Sequence, residues 1–316
     1  MQRFWLGATV AALCVLSTST ASAATLYSND FDVDSTASWT VNDPALSDKI
    51  ADFNYDYSAI GVPAAPGGSS TRGLKMTANN TGGVFSGFSV SPTGQNFSGD
   101  YRVEFDVWQS YVGPLGAGGS GSTQLSTYGI GTSGTTPFWP GAATKESVAF
   151  AVTLDGGSAN DVRIYSSAAP TSYASGNAVY NGATSNNNSN AYYAGFTAQT
   201  APAAQLGLFP GQTGSTDVGE TSFAWRHVVI DVAANEATWS IDGLVMGKLS
   251  LAGLTLGGGN IFFGHADTNA TSSTDANDTL LNVTLIDNVK VTGVPEPASL
   301  ALGALGLLAI VARRRK

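Results

Sequence analysis

Along most of this chain, hydrophobic residues recur at every second position. Tyr101, Val103, Phe105 and Val107 alternate with Arg102, Glu104, Asp106 and Trp108, and Val148, Phe150, Val152 and Leu154 alternate with Ser147, Ala149, Ala151 and Thr153. Arg226, Val228, Ile230 and Val232 alternate with Trp225, His227, Val229 and Asp231, while Leu281, Val283, Leu285, Val289 and Val291 share one parity near the end. Successive side chains of a strand leave opposite faces, so this period predicts half-buried β-strands. Ala237–Ile241, then Asp242-Gly243, then Leu244–Met246 predicts a tight hairpin, because both turn positions tolerate positive φ. Stretches rich in Gly, Ser, Thr and Asn, notably Gly113–Gly141 and Tyr180–Asn190, are expected as long surface loops. Sustained helical periodicity is absent from residues 24–293, and no break in composition divides them. One all-β antiparallel jelly-roll β-sandwich is therefore predicted for that span.

The two ends follow a different pattern. Arg3, the apolar run Phe4–Leu16 and the small residues Ala21-Ser22-Ala23 form the three parts of an export signal over residues 1–23, with cleavage after Ala23. The apolar run would make a helix of about 20 Å, too short for a stable span. At the other end, Pro295-Glu296-Pro297 precedes the uncharged run Ala298–Ala312 and then Arg313-Arg314-Arg315-Lys316. The prolines interrupt regular structure, and the run would form a transmembrane helix of about 22 Å. The basic cluster keeps that end in the cytoplasm, which places the body outside the inner membrane. The arrangement over residues 294–316 resembles the PEP-CTERM sorting signal of Gram-negative bacteria. The resemblance implies export, a transient inner-membrane anchor, recognition by an exosortase, and delivery to the cell surface or extracellular matrix.

Charge and composition narrow the chemistry of the body. The chain carries 14 basic and 23 acidic residues, a net charge of −9. Five of the basic residues (Arg3, Arg313, Arg314, Arg315 and Lys316) and one acidic residue (Glu296) lie at the ends. The body keeps nine positive charges against 22 negative ones. Such a body repels phosphate backbones, which argues against nucleic acid as a partner. Cys14 is the sole cysteine and lies within the export signal, so disulfide frameworks, thiolate metal sites and a cysteine nucleophile are excluded.

Trp225–Val232, a short turn and Thr238–Gly243 resemble the central hairpin of laminin-G-like and concanavalin A-like lectin and glucanase domains. Asn29-Asp30-Phe31-Asp32 followed by Trp39, and the closing Ile286–Val291, fit the ends of such jelly rolls. They also fit carbohydrate-binding modules of the galactose-binding-like type, so the two sandwich types stay unseparated. In laminarinase-type glycosidases of this fold, alternating carboxylates on one strand face point into a groove. That resemblance would make Glu104 the nucleophile and Asp106 its partner, with Gln109 where the acid falls. Retaining hydrolysis needs a nucleophile and a proton donor about 5 Å apart. Glutamine cannot donate that proton, so a noncatalytic body is expected, with a glycan-active hydrolase or lyase as the alternative and a purely structural matrix role as the second. His227 and His265 lie in no triad or metal motif, and His227 is expected on the polar side of its strand.

Two binding expectations follow. Asp287 shares parity with apolar neighbours, which would aim it at the core, and a buried carboxylate there needs a bulge, hydrogen-bonding partners or a cation. Asp30, Asp32 and Asp34 share a face and could lie beside the final strand. The resembling carbohydrate-binding modules hold a structural calcium between first and last strands, which implies Asp30, Asp32 and Asp287 as oxygen ligands. For extracellular polysaccharide, Trp108, Trp139 and Tyr128 are candidate stacking rings, whereas Trp39, Trp225 and Trp239 are expected in the core.

Overall fold

A computed structural model describes residues 23–43, 48–80, 85–113, 124–142, 145–154, 160–268 and 276–294. Fourteen strands occur among them: β1 (Thr25–Asn29), β2 (Trp39–Asn42), β3 (Lys49–Asp56), β4 (Arg72–Ala78), β5 (Ser86–Pro92), β6 (Tyr101–Ser110) and β7 (Gln124–Thr132); then β8 (Val148–Thr153), β9 (Val162–Tyr165), β10 (Arg226–Ala233), β11 (Glu236–Ile241), β12 (Leu244–Ser250), β13 (Asn260–Asp267) and β14 (Val283–Gly293). Two short helices accompany them, α1 (Ala203–Leu208) and α2 (Asp278–Leu281). The expected export-signal and transmembrane helices fall on residues outside the described ones. Among the described residues, no helix is long and apolar enough to cross a membrane.

All strand pairs are antiparallel and form two sheets. The eight-stranded sheet runs β12-β11-β10-β6-β14-β4-β3, with β1 also pairing β14, and the six-stranded sheet runs β2-β5-β13-β7-β8-β9. The fold is thus the predicted all-β, antiparallel two-sheet sandwich. The chain crosses between sheets from β4 to β5, β5 to β6 and β6 to β7, which winds the two layers around a shared core. Alternation decides which side chains enter that core. Val103 and Phe105 of β6, Val228 and Ile230 of β10 and Trp239 of β11 meet Tyr128, Phe150 and Phe263 of the opposite sheet. Phe105 meets Phe263 edge-on at 4.9 Å, and Trp239 stacks on Phe150 at 5.1 Å. Each such side chain contributes roughly 1.5–3 kcal/mol through burial.

The Asp242-Gly243 hairpin joins β11 to β12 as predicted, with φ of 49° and 80° at the two turn residues. Other expectations need correction. The stretch Gly113–Gly141 contains β7, a central strand flanked by β13 and β8. Its small residues hid an inward row of Ser126, Tyr128 and Ile130. The parity shared by Leu285, Val289 and Val291 does not persist in space. Asp287 is opposite Asp106 and Lys290 is opposite Glu104, so β14 has one extra residue between them. Asn288 at φ 53° is the residue that makes this bulge. Val283, Leu285 and Asp287 consequently point away from the inter-sheet core, whereas Val289 and Val291 point into it.

Candidate functional site

Strands β10, β6 and β14 lie side by side, and their outward residues form a lattice on the face of the eight-stranded sheet that points away from the core. His227, Asp106 and Asp287 are direct cross-strand neighbours in one row. The next row holds Val229, Glu104 and Lys290, and the one after it Asp231, Arg102 and Thr292. On the other side of the His227 row, Trp225 just before β10 stands 5.9 Å from Trp108 of β6.

Hydrogen bonds tie the central row together. Asp106 accepts from His227 Nδ1 at 3.0 Å and from Asn288 Nδ2 at 2.8 Å, so both of its oxygens are engaged. Asp287 accepts from the Asn288 backbone N–H at 2.7 Å and from the Tyr57 hydroxyl at 3.0 Å. Segment 57–70 folds over this end of the row. The Tyr57 ring lies against Gly73, where an added Cβ would meet Ile286 O at 2.9 Å and the ring at 3.2 Å. Burial pushes the Asp287 carboxyl up to about 7, and the nearby carboxylates of Asp106 and Asp32 push the same way. The same burial raises the Tyr57 hydroxyl. The bulge and the two donors supply what a buried carboxylate requires, without a third acid.

The pair Glu104 and Asp106 does share one face, as expected. Glu104 is a quarter exposed and His227 half exposed, whereas Asp106 is nearly buried. His227 Nε2 lies 3.8 Å from Glu104 Oε1. Gln109 is on the other face. Strand β6 pairs regularly with β10, so position 109 has core parity, and Gln109 Nε2 donates to Ser126 Oγ at 2.9 Å and Val152 O at 3.2 Å. Position 108 is the one that continues the Glu104–Asp106 face, and it carries Trp108. The third acid of the glycosidase pattern is therefore missing in either register.

The proposed calcium ligands do not converge. Strand β1 does lie beside β14, pairing Asn29 with Val289. It ends there, because Phe31 turns to φ 56° and drops into the core, so Asp30, Asp32 and Asp34 share no face. Asp30 accepts from the Asp32 N–H at 3.2 Å, and Asp34 accepts from Thr36. The Asp32 carboxylate accepts from Ser69 and Ser70. No group of three or more His, Cys, Asp or Glu suited to one metal ion occurs among the described residues.

The stacking candidates are redistributed as well. Tyr128 faces the core and packs edge-on against Phe105 and Trp239, so it offers no free ring. Trp108 is 2% exposed beneath Trp225 and the segments covering that end. Trp139 is partly exposed near the six-stranded sheet, 5.0 Å from Phe85. Trp225, expected in the core, is instead half-buried. Trp39 and Trp239 are core residues as expected. His227 escaped notice as an Asp106 partner because the two are 121 positions apart in sequence. Only the adjacency of β6 and β10 brings them together. The second histidine is its opposite: His265 is fully buried between Thr284 and Gln124, and burial lowers it to about 3.

The described chain is thus an antiparallel two-sheet sandwich with one partly open polar face, and it runs directly into a tail of another kind. Residues 293–316 match the PEP-CTERM protein-sorting motif. That motif implies exosortase processing, with export and membrane-anchored sorting in a Gram-negative bacterium. No curated protein matches the sequence. Among solved structures, the chain is similar to a protein of unknown function with a galectin-like fold from Bacillus subtilis. The identity is 10%, covering 86% of this chain and 98% of that one, at a TM-score of 0.40. A glycoside hydrolase family 16 endo-glucanase from Bacteroides ovatus matches at 16% identity, with 84% and 99% coverage and a TM-score of 0.42. The VIP36 exoplasmic/lumenal domain in its Ca2+/Man2-bound form matches at 9% identity, with 85% and 87% coverage and a TM-score of 0.42.

Proposed function

We propose that this is an exported, noncatalytic protein of the bacterial surface or extracellular matrix, sorted by an exosortase, whose sandwich engages extracellular polysaccharide. The sorting motif at residues 293–316 carries the export half of this reading. The noncatalytic half is supported by the state of the outer face. Two-carboxylate glycoside hydrolysis needs a nucleophile and a separate proton donor. On this face Asp106 is held at both oxygens, Trp108 occupies the third position, and Gln109 is turned into the core. Glu104 is the one acid of the motif left without a hydrogen bond to occupy it.

The alternative, a glycan-active hydrolase or lyase, would have to work with Glu104 and His227 alone. The proposal does not depend on a structural calcium ion between first and last strands, since no group of three or more acidic, His or Cys side chains suited to one metal ion occurs among the described residues. The test uses the full-length protein recovered from cells and passed over insoluble polysaccharides. Retention without release of reducing ends is expected. Product release that is lost in Glu104→Gln would turn the assignment to the enzyme. Surface localisation without retention on any polysaccharide would leave the structural matrix role.

A further inference from the structure

We infer that the open end of the eight-stranded sheet's outer face is a subsite for an uncharged pyranose, with Trp225 as its stacking platform and Glu104 and His227 as hydrogen-bonding partners of two neighbouring hydroxyls. The inference rests on the carbohydrate reading above and gives it a place and a ligand class.

The platform is fixed before any ligand arrives. Trp225 donates its indole N–H to Pro63 O at 2.7 Å, packs T-shaped with Tyr57 at 5.2 Å and lies tilted against Trp108 at 5.9 Å. A partly exposed ring held by three neighbours has little orientation left to lose on binding. His227 follows two positions later on the same face, about 7 Å along the strand. The reach from ring to imidazole therefore suits a sugar ring lying flat on Trp225 with its hydroxyls directed at β6.

The polar atoms at that distance are a ring nitrogen and a carboxylate oxygen. Asp106 accepts at His227 Nδ1, which leaves Nε2 as the other polar atom of the ring. Glu104 Oε1 lies 3.8 Å from it, beyond a direct hydrogen bond. Adjacent hydroxyls of a pyranose, each both donor and acceptor, can meet the two at once. An anionic sugar is disfavoured here. Arg102 is bound to Asp231 by two bonds of 2.6 and 2.9 Å. Lys290 stands beside Glu104 in the same row, but the carboxyl groups of Glu104, Asp106, Asp231 and Asp287 outnumber these two cations on a body that is acidic overall.

The experiment compares retardation of the full-length protein in gels containing laminarin or galactomannan, both uncharged, with gels containing alginate, a polyuronate. Retardation by an uncharged polymer and none by alginate is expected. Glu104→Lys should weaken the uncharged interaction at least about tenfold, and Trp225→Ala should do so more strongly. Trp225 also braces neighbours, so Glu104→Lys and His227→Ala, at solvent-accessible positions of the outer face, serve as the variants that keep the fold, checked by their melting curves. If the wild type binds an uncharged glycan and Glu104→Lys and His227→Ala bind it equally well, the subsite is overturned while the carbohydrate reading stands. Preference for alginate would also overturn it. If no polysaccharide retards the wild type, the carbohydrate reading itself fails and this subsite falls with it.

Discussion

On the six-stranded sheet, the outward positions are small: Gly87, Gly129, Gly264, Ala149 and Ala151 leave room for segment 133–142, and Phe138 packs down on Phe262 at 4.8 Å and beside Tyr165 at 5.9 Å. On the eight-stranded sheet, the outward positions of the central strands carry Glu104, Asp106, His227 and Asp287. Segments 57–70 and 199–225 cover only the end where Trp108 and Leu285 supply apolar surface. The difference shows what allows a loop to seal a sheet. A glycine row lets backbone approach, whereas every carboxylate that is covered must be given partners, as Asp106 and Asp287 each are. Glu104, with Arg102 at 4.0 Å and His227 at 3.8 Å beside it and no hydrogen bond to its carboxylate among the described residues, stands where the face stays open.

Filling the sealed face should have the largest effect. A Cβ at Gly129 would lie 2.1 Å from Val148 O and 2.7 Å from the Phe262 ring. Gly129→Val is therefore expected to cost about 3 kcal/mol or more in a urea unfolding curve. A loss below about 0.5 kcal/mol would mean that Val148 and Phe262 do not press on Gly129 as described.

Gln109→Glu asks whether the third acid could ever have served the open face. Its side chain points between the sheets, toward Ser126 and Val152 O, so a carboxylate there meets a carbonyl acceptor. Destabilisation of roughly 2–3 kcal/mol is expected, with no gain in polysaccharide hydrolysis. Appearance of hydrolytic activity would place position 109 on the Glu104 face after all.

The smallest effect is a pH dependence at the boundary between covered and open. Asp287 titrates near 4 in the unfolded chain and near 7 in the fold. Between those values the folded state holds the extra proton, so this group's contribution to stability falls as pH rises from about 4 to about 7. Asp287→Asn does not titrate. Its stability relative to wild type, read from urea unfolding curves, should therefore climb across that window, by an amount on the order of 2 kcal/mol. The lowered carboxyls of Asp32, Asp34 and Asp56 tilt stability the other way, and they cancel in the comparison. Millimolar Ca2+ should leave the wild-type curve where chelator leaves it. A rise that vanishes in Asp287→Asn would return calcium to this junction.

Alternation made β6, β8, β10 and the Asp242-Gly243 hairpin readable, and with them the sandwich. Strand β7 was not readable, because Ser126, Thr127 and Gly129 resemble loop sequence until Phe262 and Val148 are known to press on them. Parity failed at one place, β14, where a single extra residue at Asn288 reverses the faces. That reversal moved Asp287 from an expected core position to the outer row. For the candidate site, Glu104 and Asp106 could be picked from their strand alone. Their partner His227 and the platform Trp225 depend on which strands are neighbours, and local patterning holds no record of that.

The position of β14 also dictates when the molecule can form. It lies between β6 on one side and β4 and β1 on the other, so without it the larger sheet falls into three pieces, β12-β11-β10-β6, β4-β3 and β1 alone. The N–H of Gly293 bonds Ala24 O at 2.9 Å, and that of Val294 bonds Asp100 O at 3.0 Å. The first strand described must wait for the last, and closing a loop of that length is slow. A chain delivered in order from its N-terminus therefore completes the larger sheet only when its final strand arrives.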